Sequence, residues 1–330
     1  MNYRTTEGRV LVTGANGFVG LALCRRLLTE GFSVNAAVRR LPDGEEKAGL
    51  AGPDRLRYVA VGDIGPDTDW SEALAGVDVV IHLAAHVHAD GRDEQAFYRV
   101  NAAGTERLAQ IAASRGVSRM VYVSSIKVNG ERTLVNAFSE ADVPAPQNAY
   151  ALSKWLGERA LMKVAEETGL QVVALRPPLV YGAGAKGNFL RLMQWIVRGV
   201  PLPLAAIDNR RTLLGLDNLV DALILCAVRP EAAGKTYLLG DTESISTPDL
   251  YRRLAAELEC PAKLFSLPPG LLRFAGVALG RAESVDRLLD SLEVDTSLIR
   301  AELSWTPPCS LARGLHESAR WYRQQIGGTY

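Results

Sequence analysis

Val10-Leu11-Val12-Thr13-Gly14-Ala15-Asn16-Gly17-Phe18-Val19-Gly20 is the stretch on which the fold turns. Residues 10–12 are apolar without a break, as in a short strand covered on both faces. Residues 18–30 (FVGLALCRRLLTE) then repeat their apolar positions at helical period, and Gly31 supplies a helix stop. Between strand and helix the glycines read G-x-x-G-x-x-G. Gly14 permits a tight turn, Gly17 lets the backbone approach a pyrophosphate, and Gly20 lets the helix pack closely on the strand. The helix N-terminus then offers its free N–H groups to phosphate. A lone glycine pattern is as compatible with a turn that binds nothing. Its place between a strand and a helix makes it a dinucleotide signature.

Outward from that stretch the same rhythm continues. Val34 to Val38, Leu56 to Val61, Val77 to Ala84, Met120 to Ser124 and Gln171 to Leu175 read as strands. Residues 94–115 and Ala149 to Thr168 read as helices. Strands alternating with helices predict an α/β fold with a parallel, doubly wound Rossmann sheet that binds ligands at the carboxyl ends of its strands. After Pro178 the rhythm changes, with frequent Gly and Pro between 182 and 204 and mostly helical patterning later. The expected division is a Rossmann domain of residues 1–182 plus about 213–240, and a smaller, mostly helical C-terminal substrate domain of 183–212 and 241–330. The helix near 217–228 and the strand Thr236 to Leu239 are expected to return to the main sheet.

Lys plus Arg (37) balance Asp plus Glu (37), which gives no reason to expect nucleic acid or an anionic membrane as partner. No apolar run reaches the ~20 residues of a membrane helix. The best candidate, Gly270 to Gly280, is split by Arg273 and reads as a buried or cleft-lining helix. Residues 1–9 are polar with no signal peptide, and the four cysteines form no CxxC unit, so a reduced, cytoplasmic chain is expected. His86-x-His88 lacks a carboxylate-rich partner motif, and no metal site is expected.

The second strand ends Ala37-Val38-Arg39-Arg40, with no acid before Asp43. An acid there would bind a ribose 2′-hydroxyl, whereas Arg39 or Arg40 can pair with a 2′-phosphate; the plainer alternative is a solvated basic loop. NADP(H) is therefore expected in preference, with NAD(H) possible. Asp63, after the third strand, is placed to accept a hydrogen bond from the adenine amino group. Tyr150 and Lys154 lie four apart, on one face of a helix. A lysine charge one turn away is expected to lower the Tyr150 pKa, fitting the phenol for proton exchange with a substrate oxygen. Ser124-Ser125 ends the preceding strand, Ser125 standing 25 residues before Tyr150, where a hydroxyl can hold the same oxygen.

In this order, these motifs resemble the extended short-chain dehydrogenase/reductases, the NAD-dependent epimerase/dehydratase family. The resemblance spans nearly the whole chain: TGANGFVG (13–20), GDI (62–64), HLAA (82–85), VNAAGT (100–105), SSIKVNG (124–130), YALSK (150–154), LRPPLVYG (175–182), RTLLGLDNLVDA (211–222) and ELSWTP (302–307). It implies Ser125 as the catalytic serine, Tyr150 as proton donor/acceptor and Lys154 as the ribose-binding lysine. It further implies Phe18 and Val19 at the pyrophosphate, Asp63 and Ile64 near the adenine, Leu83, Ala84, Ala85 and Asn101 along the cofactor, and Pro178 at the nicotinamide. For nucleotide-sugar members, Asn188 matches an asparagine that binds the nucleotide and Arg211 an arginine that holds the diphosphate; the alternatives are a turn-forming loop residue and a surface arginine. The resemblance also implies a homodimer built on the helices near 94–115 and 149–168, with Ala151, Trp155, Leu156, Ala160 and Leu161 apolar on the second.

Two departures narrow the activity. Family dehydratases carry Asp-Glu directly after the catalytic threonine, where this chain has Ile126 and Lys127. The tightly NAD-binding 4-epimerases carry the acid that is missing after the second strand, and an asparagine where this chain has Leu179. The leading expectation is an NAD(P)-dependent reductase of a UDP-linked 4-keto-6-deoxy-N-acetylhexosamine in bacterial surface-polysaccharide synthesis. The alternatives are a UDP-hexose 4-epimerase and, from another class, a non-catalytic NADP-binding sensor.

Overall fold

The computed structural model describes residues 8–41, 55–87 and 94–327. Its main sheet has seven strands: β1 (Arg9–Thr13), β2 (Ser33–Val38), β3 (Leu56–Ala60), β4 (Val79–His82), β5 (Arg119–Val123), β6 (Gln171–Arg176) and β9 (Thr236–Leu238). Every pairing is parallel, in the order β3-β2-β1-β4-β5-β6-β9. The strands are apolar on both faces because both faces are covered. Val10 and Val12 enter one core with Leu23 and Leu27 of α1 (Phe18–Thr29) and Leu219 and Leu223 of α5 (Leu216–Val228). Leu11, between them, enters the opposite core with Leu108 of α2 (Gly104–Ser114) and Leu161 of α3 (Ala149–Thr168). This alternation is the period-two geometry of a strand sandwiched between helices.

The helix expected over 94–115 is interrupted. A turn of α-helix, Gln95–Tyr98, passes through a π-helical stretch, Arg99–Ala103, before α2 begins. The helix at 149–168 is capped by Asn148, whose Oδ1 accepts from the Ala151 N–H, and closed by Gly169 in the left-handed region.

A second, three-stranded sheet was not expected. It joins β10 (Ser244–Ile245), β8 (Arg211–Gly215) and β7 (Leu179–Tyr181). Around it, α4 (Gly187–Val197), α6 (Thr247–Glu257) and α10 (Leu311–Gly327) share a core that includes Tyr181, Phe189, Met193, Tyr251 and Leu315. Asp241, buried just after β9, ties the two sheets. It accepts from Tyr181 Oη (2.8 Å), the Gly215 N–H (3.0 Å) and Asn218 Nδ2 (2.7 Å). The hairpin of α7 (Pro269–Ala278) and α8 (Ala282–Leu289) corrects the expectation for 270–280. Leu271, Phe274, Val277 and Leu279 of that segment face solvent, Phe274 at 74% exposure. Among the described residues no helix is long and apolar enough to cross a membrane.

Candidate active site

At the carboxyl end of the main sheet the chain order reverses between β1 and β4, the crevice in which doubly wound sheets bind ligands. A cavity of about 950 Å³ opens there, lined by Gly14, Arg39, Asp63, Ile64, Ala84 and Ala85 among others. Gly14 has φ +67°, and a Cβ on it would press on the Ala84 backbone at 3.1 Å. A Cβ on Gly20 would drive into the Gly14 carbonyl oxygen and the Ala15 backbone. The N-terminus of α1 has no side-chain cap and no acid in its first turn, so its N–H groups remain for an anion. These features fit a dinucleotide. The Phe18 ring packs against Gly182 and Gly184 and into the core of the smaller sheet.

Arg39 and Asp63, expected at opposite ends of the adenosine, face each other: Arg39 Nε donates to Asp63 Oδ1 at 2.8 Å. Both are well exposed, so the pair contributes little to stability and remains exchangeable. Asp43 and His88 lie outside the described residues. His86 lines the cavity with its ring edge-to-face on Phe97 (5.0 Å), and Phe97 packs in turn on the Tyr150 ring (6.1 Å).

Beneath the glycine turn runs a hydrogen-bonded chain with a defined direction. Thr13 Oγ1 accepts from the Leu83 and Ala84 N–H groups (both 3.1 Å), so its own proton goes to His82 Nδ1 at 2.6 Å. His82 Nε2–H then donates to Thr105 Oγ1 (3.0 Å), which donates to the Asn101 carbonyl (2.8 Å). This assignment requires a neutral imidazole, and burial pushes the His82 pKa down to about 3. The Asn101 side chain accepts from the His86 N–H (2.8 Å) and donates to His86 O (2.9 Å) and Ser153 Oγ (3.0 Å). It thereby clamps the loop at His86 to α3.

The Ser125 hydroxyl lies beside the Tyr150 phenol, where it favours the ionised form. Ser125 follows β5 in extended backbone (φ −159°), and its Oγ accepts from the Lys127 N–H. The Ile126 N–H donates to Pro177 O at 3.0 Å, which brings the Pro178 loop beside the serine. The Ser124 hydroxyl next to it is buried with no hydrogen-bond partner among the described residues. Lys154 is buried, its Nζ 4.1 Å above the Tyr122 ring. One expectation is corrected here. Burial raises the Tyr150 pKa above its ordinary value, and the group opposing that shift is Ser125, not Lys154. Lys154 is itself pushed down to about 7 by burial, against the charge of Glu158.

On the substrate side, Asn188 is exposed in the first turn of α4. Arg211 is half-buried, and its Nη1 donates to the carbonyls of Arg287 (2.8 Å) and Asp290 (2.9 Å) at the end of α8. Lys127 pairs with Glu131 (2.9 Å), which also accepts from Asn148 Nδ2.

Sequence reasoning missed the buried pair of Glu158 and Arg176. The Arg176 Nε and Nη2 donate to the two Glu158 oxygens at 3.0 and 2.6 Å, and Arg176 Nη1 donates to Asn129 Oδ1 at 2.9 Å. The spacing of Glu158 four residues beyond Lys154 was the available signal. It also missed Asp217, Cys309 and Glu317, which bring donor atoms within 4.8 Å of one another from distant positions.

Residues 10–240 match the model of the NAD dependent epimerase/dehydratase family, and the chain belongs to that family. It is an enzyme of the extended short-chain dehydrogenase/reductase type. A UDP-glucose 4-epimerase of Vibrio cholerae is 38% identical over 96% of this chain and 95% of its own length. Among solved structures, a UDP-glucuronic acid 4-epimerase of Bacillus cereus in complex with NAD shares the fold (TM-score 0.80, 23% identity, 98% of both chains). MoeE5 in complex with UDP-glucose and NAD aligns with TM-score 0.76 and 27% identity, over 97% of this chain and all of its own.

Proposed function

We propose that this enzyme reduces the C4 carbonyl of a UDP-linked 4-keto-6-deoxy-N-acetylhexosamine, with NADP(H) preferred and NAD(H) accepted. The observation that carries the reading is Ser125 set beside Tyr150 and the buried Lys154, next to a cavity fit for a dinucleotide. When bound, the nicotinamide supplies the hydride that C4 accepts. Ser125 holds the C4 oxygen, and Tyr150 Oη gives it the proton that completes the alcohol. Lys154 holds the nicotinamide ribose hydroxyls. Pro178 packs on the nicotinamide, and Leu83, Ala84, Ala85 and Ile64 line the cofactor. Asn188 reads the nucleotide and Arg211 the diphosphate, in a substrate lobe made of 183–212 and 241–330.

Two features favour reduction with an exchangeable cofactor. Ile126 is buried and Lys127 ion-paired where an eliminating enzyme needs an acid and a base. Arg39 ends β2 where an acid would favour NAD. The second reading, a UDP-hexose 4-epimerase, is favoured by the full-length relative from Vibrio cholerae. The absorbance of the purified protein separates the two. The reductase is expected to carry substoichiometric cofactor and to consume added NAD(P)H. One equivalent of tightly held NAD+, with turnover that needs no added cofactor, overturns it. We further propose a cytoplasmic homodimer.

A further inference from the structure

Lys154 sits in a pocket that by itself favours the uncharged amine. Tyr122 of β5 lies under its Nζ, His82 of β4 interacts with it as a neutral ring, and Tyr150 stands one turn back on its own helix. Asn101 and Ser153 are satisfied by each other and by His86. The negative charge acting on Lys154 is Glu158, one turn further along α3 on the same face. Glu158 acts on Tyr122 as well, so lysine, ring and carboxylate form one buried group.

Glu158 is not free to choose its place. Arg176 on β6 binds both its oxygens in a two-pronged contact, and both side chains are at most 7% exposed. Asn129 fixes Arg176 from the segment that follows Ser125, and Asn129 Nδ2 is spent on Ser139 O (3.0 Å). The carboxylate is thus held from the strand before Pro177 and from the serine loop, the two segments that meet at the reaction centre.

We propose that Glu158 is a positioning residue for this active site: pinned by Arg176 and Asn129, its carboxylate is the counter-charge that keeps the Lys154 ammonium in place and protonated. This rests on the assignment of Lys154 to the cofactor ribose under the proposed function. An opposite charge within about 4–6 Å typically moves a pKa by about 1–3 units, enough to decide the charge of a lysine pushed down to about 7. A neutral Lys154 keeps fewer donors for the ribose. Cofactor affinity therefore falls as pH rises through the Lys154 pKa, and losing Glu158 moves that fall to lower pH.

The test measures the Kd of NADH and of NADPH by fluorescence titration from pH 5.5 to 10, with no sugar present. Four proteins are compared: wild type, Lys154→Met, Glu158→Gln, and Glu158→Gln/Arg176→Gln. The double variant leaves no unpaired buried guanidinium, which is expected to cost Glu158→Gln several kcal/mol of stability. The alkaline loss of affinity is expected to vanish in Lys154→Met. It is expected to move down by about one pH unit or more in Glu158→Gln, and at least half as far in the double variant. A purely structural role lowers affinity at all pH values without moving the midpoint, and that outcome overturns the inference. If Lys154→Met keeps the wild-type pH dependence, the assignment of Lys154 fails instead, and the two failures are told apart.

Discussion

A phenol buried beside a serine is a weaker acid than one in water, and this sets what Tyr150 can do. With its pKa raised it stays protonated through neutral pH, the state that a proton donor to a carbonyl oxygen needs. Tyr150→Phe is expected to lower kcat by roughly a hundredfold or more, within the ~10²–10⁴ of general acid catalysis, with the fold intact by circular dichroism. The Ser125 hydroxyl lowers the Tyr150 pKa, so Ser125→Ala moves the alkaline limb of kcat to higher pH; a limb that moves down contradicts the pairing. Arg39 presents a second residue-scale test. Its partner Asp63 repels a 2′-phosphate while Arg39 attracts one, and a charge-assisted bond contributes ~1.5–3 kcal/mol. Arg39→Ala is expected to narrow the preference for NADPH by about tenfold in kcat/KM, and a wild-type preference for NADH would show that this arginine serves only Asp63. His82 offers a pH test with a definite sign. Its folded pKa, about 3, lies below its ordinary 6.5, so the unfolded chain takes up the proton first. Its stabilising share is complete above pH 6.5 and is lost as pH falls towards 3, with a slope of up to ~1.4 kcal/mol per pH unit. Urea denaturation of wild type and His82→Gln across this window is expected to show the shallower acid slope in the variant.

Among the elements, α3 carries Tyr150 and Lys154, and its approach to the π-helical stretch depends on one glycine. A Cβ on Gly157 would lie 2.5 Å from the Asn101 carbonyl oxygen and 2.6 Å from Tyr122 Oη. Gly157→Ala is therefore expected to push α3 away from the π-helical stretch, cost about 1–3 kcal/mol as overpacking does, and raise the Kd for cofactor more than it lowers Tm in proportion. Unchanged stability and affinity would mean the helix has room to spare. The strands and helices around this contact were legible in the sequence, because burial on both faces writes a continuous apolar run and a helix against a sheet writes a 3.6 period. Tyr150, Lys154 and Ser125 were legible for a similar reason, since their spacing follows from one helix and one strand end. What was hidden depends on partners far away in the chain. The smaller sheet uses strands of three and two residues, too short for any period to register. The exposed helix 269–278 reads as buried because its composition, not its surroundings, is all a sequence offers. The Asn101 clamp and the Glu158–Arg176 pair join residues from three elements, and polar identity alone does not distinguish a buried pair from a solvated one.

At the scale of the whole molecule, the two sheets meet over the cleft, joined by Asp241, and α3 runs along the outside of the main sheet with α2 beside it. This leaves a defined outer face on α3. Of the five apolar residues expected there, Ala151 and Leu161 are fully buried in the chain's own core and are removed from any interface. Trp155 and Ala160 are half-buried and Leu156 is 37% exposed, with the Arg159 guanidinium over the Trp155 ring at 5.8 Å. An aromatic side chain and an arginine stacked together beside Leu156 and Ala160 have the composition of an interface centre, where such residues carry most of the binding energy. Burying this face against its own symmetry mate makes a self-complementary contact, each tryptophan meeting the partner's copy of α3. The expected mass by light scattering at micromolar concentration is twice the 35.7 kDa of one chain. Trp155→Glu, which leaves the core residues of α3 untouched, is expected to shift the protein to monomer while the Kd for cofactor changes by less than about threefold, since Ser125, Tyr150 and Lys154 all come from one chain. A wild-type mass near 35.7 kDa rejects the dimer, and a dimer that survives Trp155→Glu unchanged moves the interface off this face.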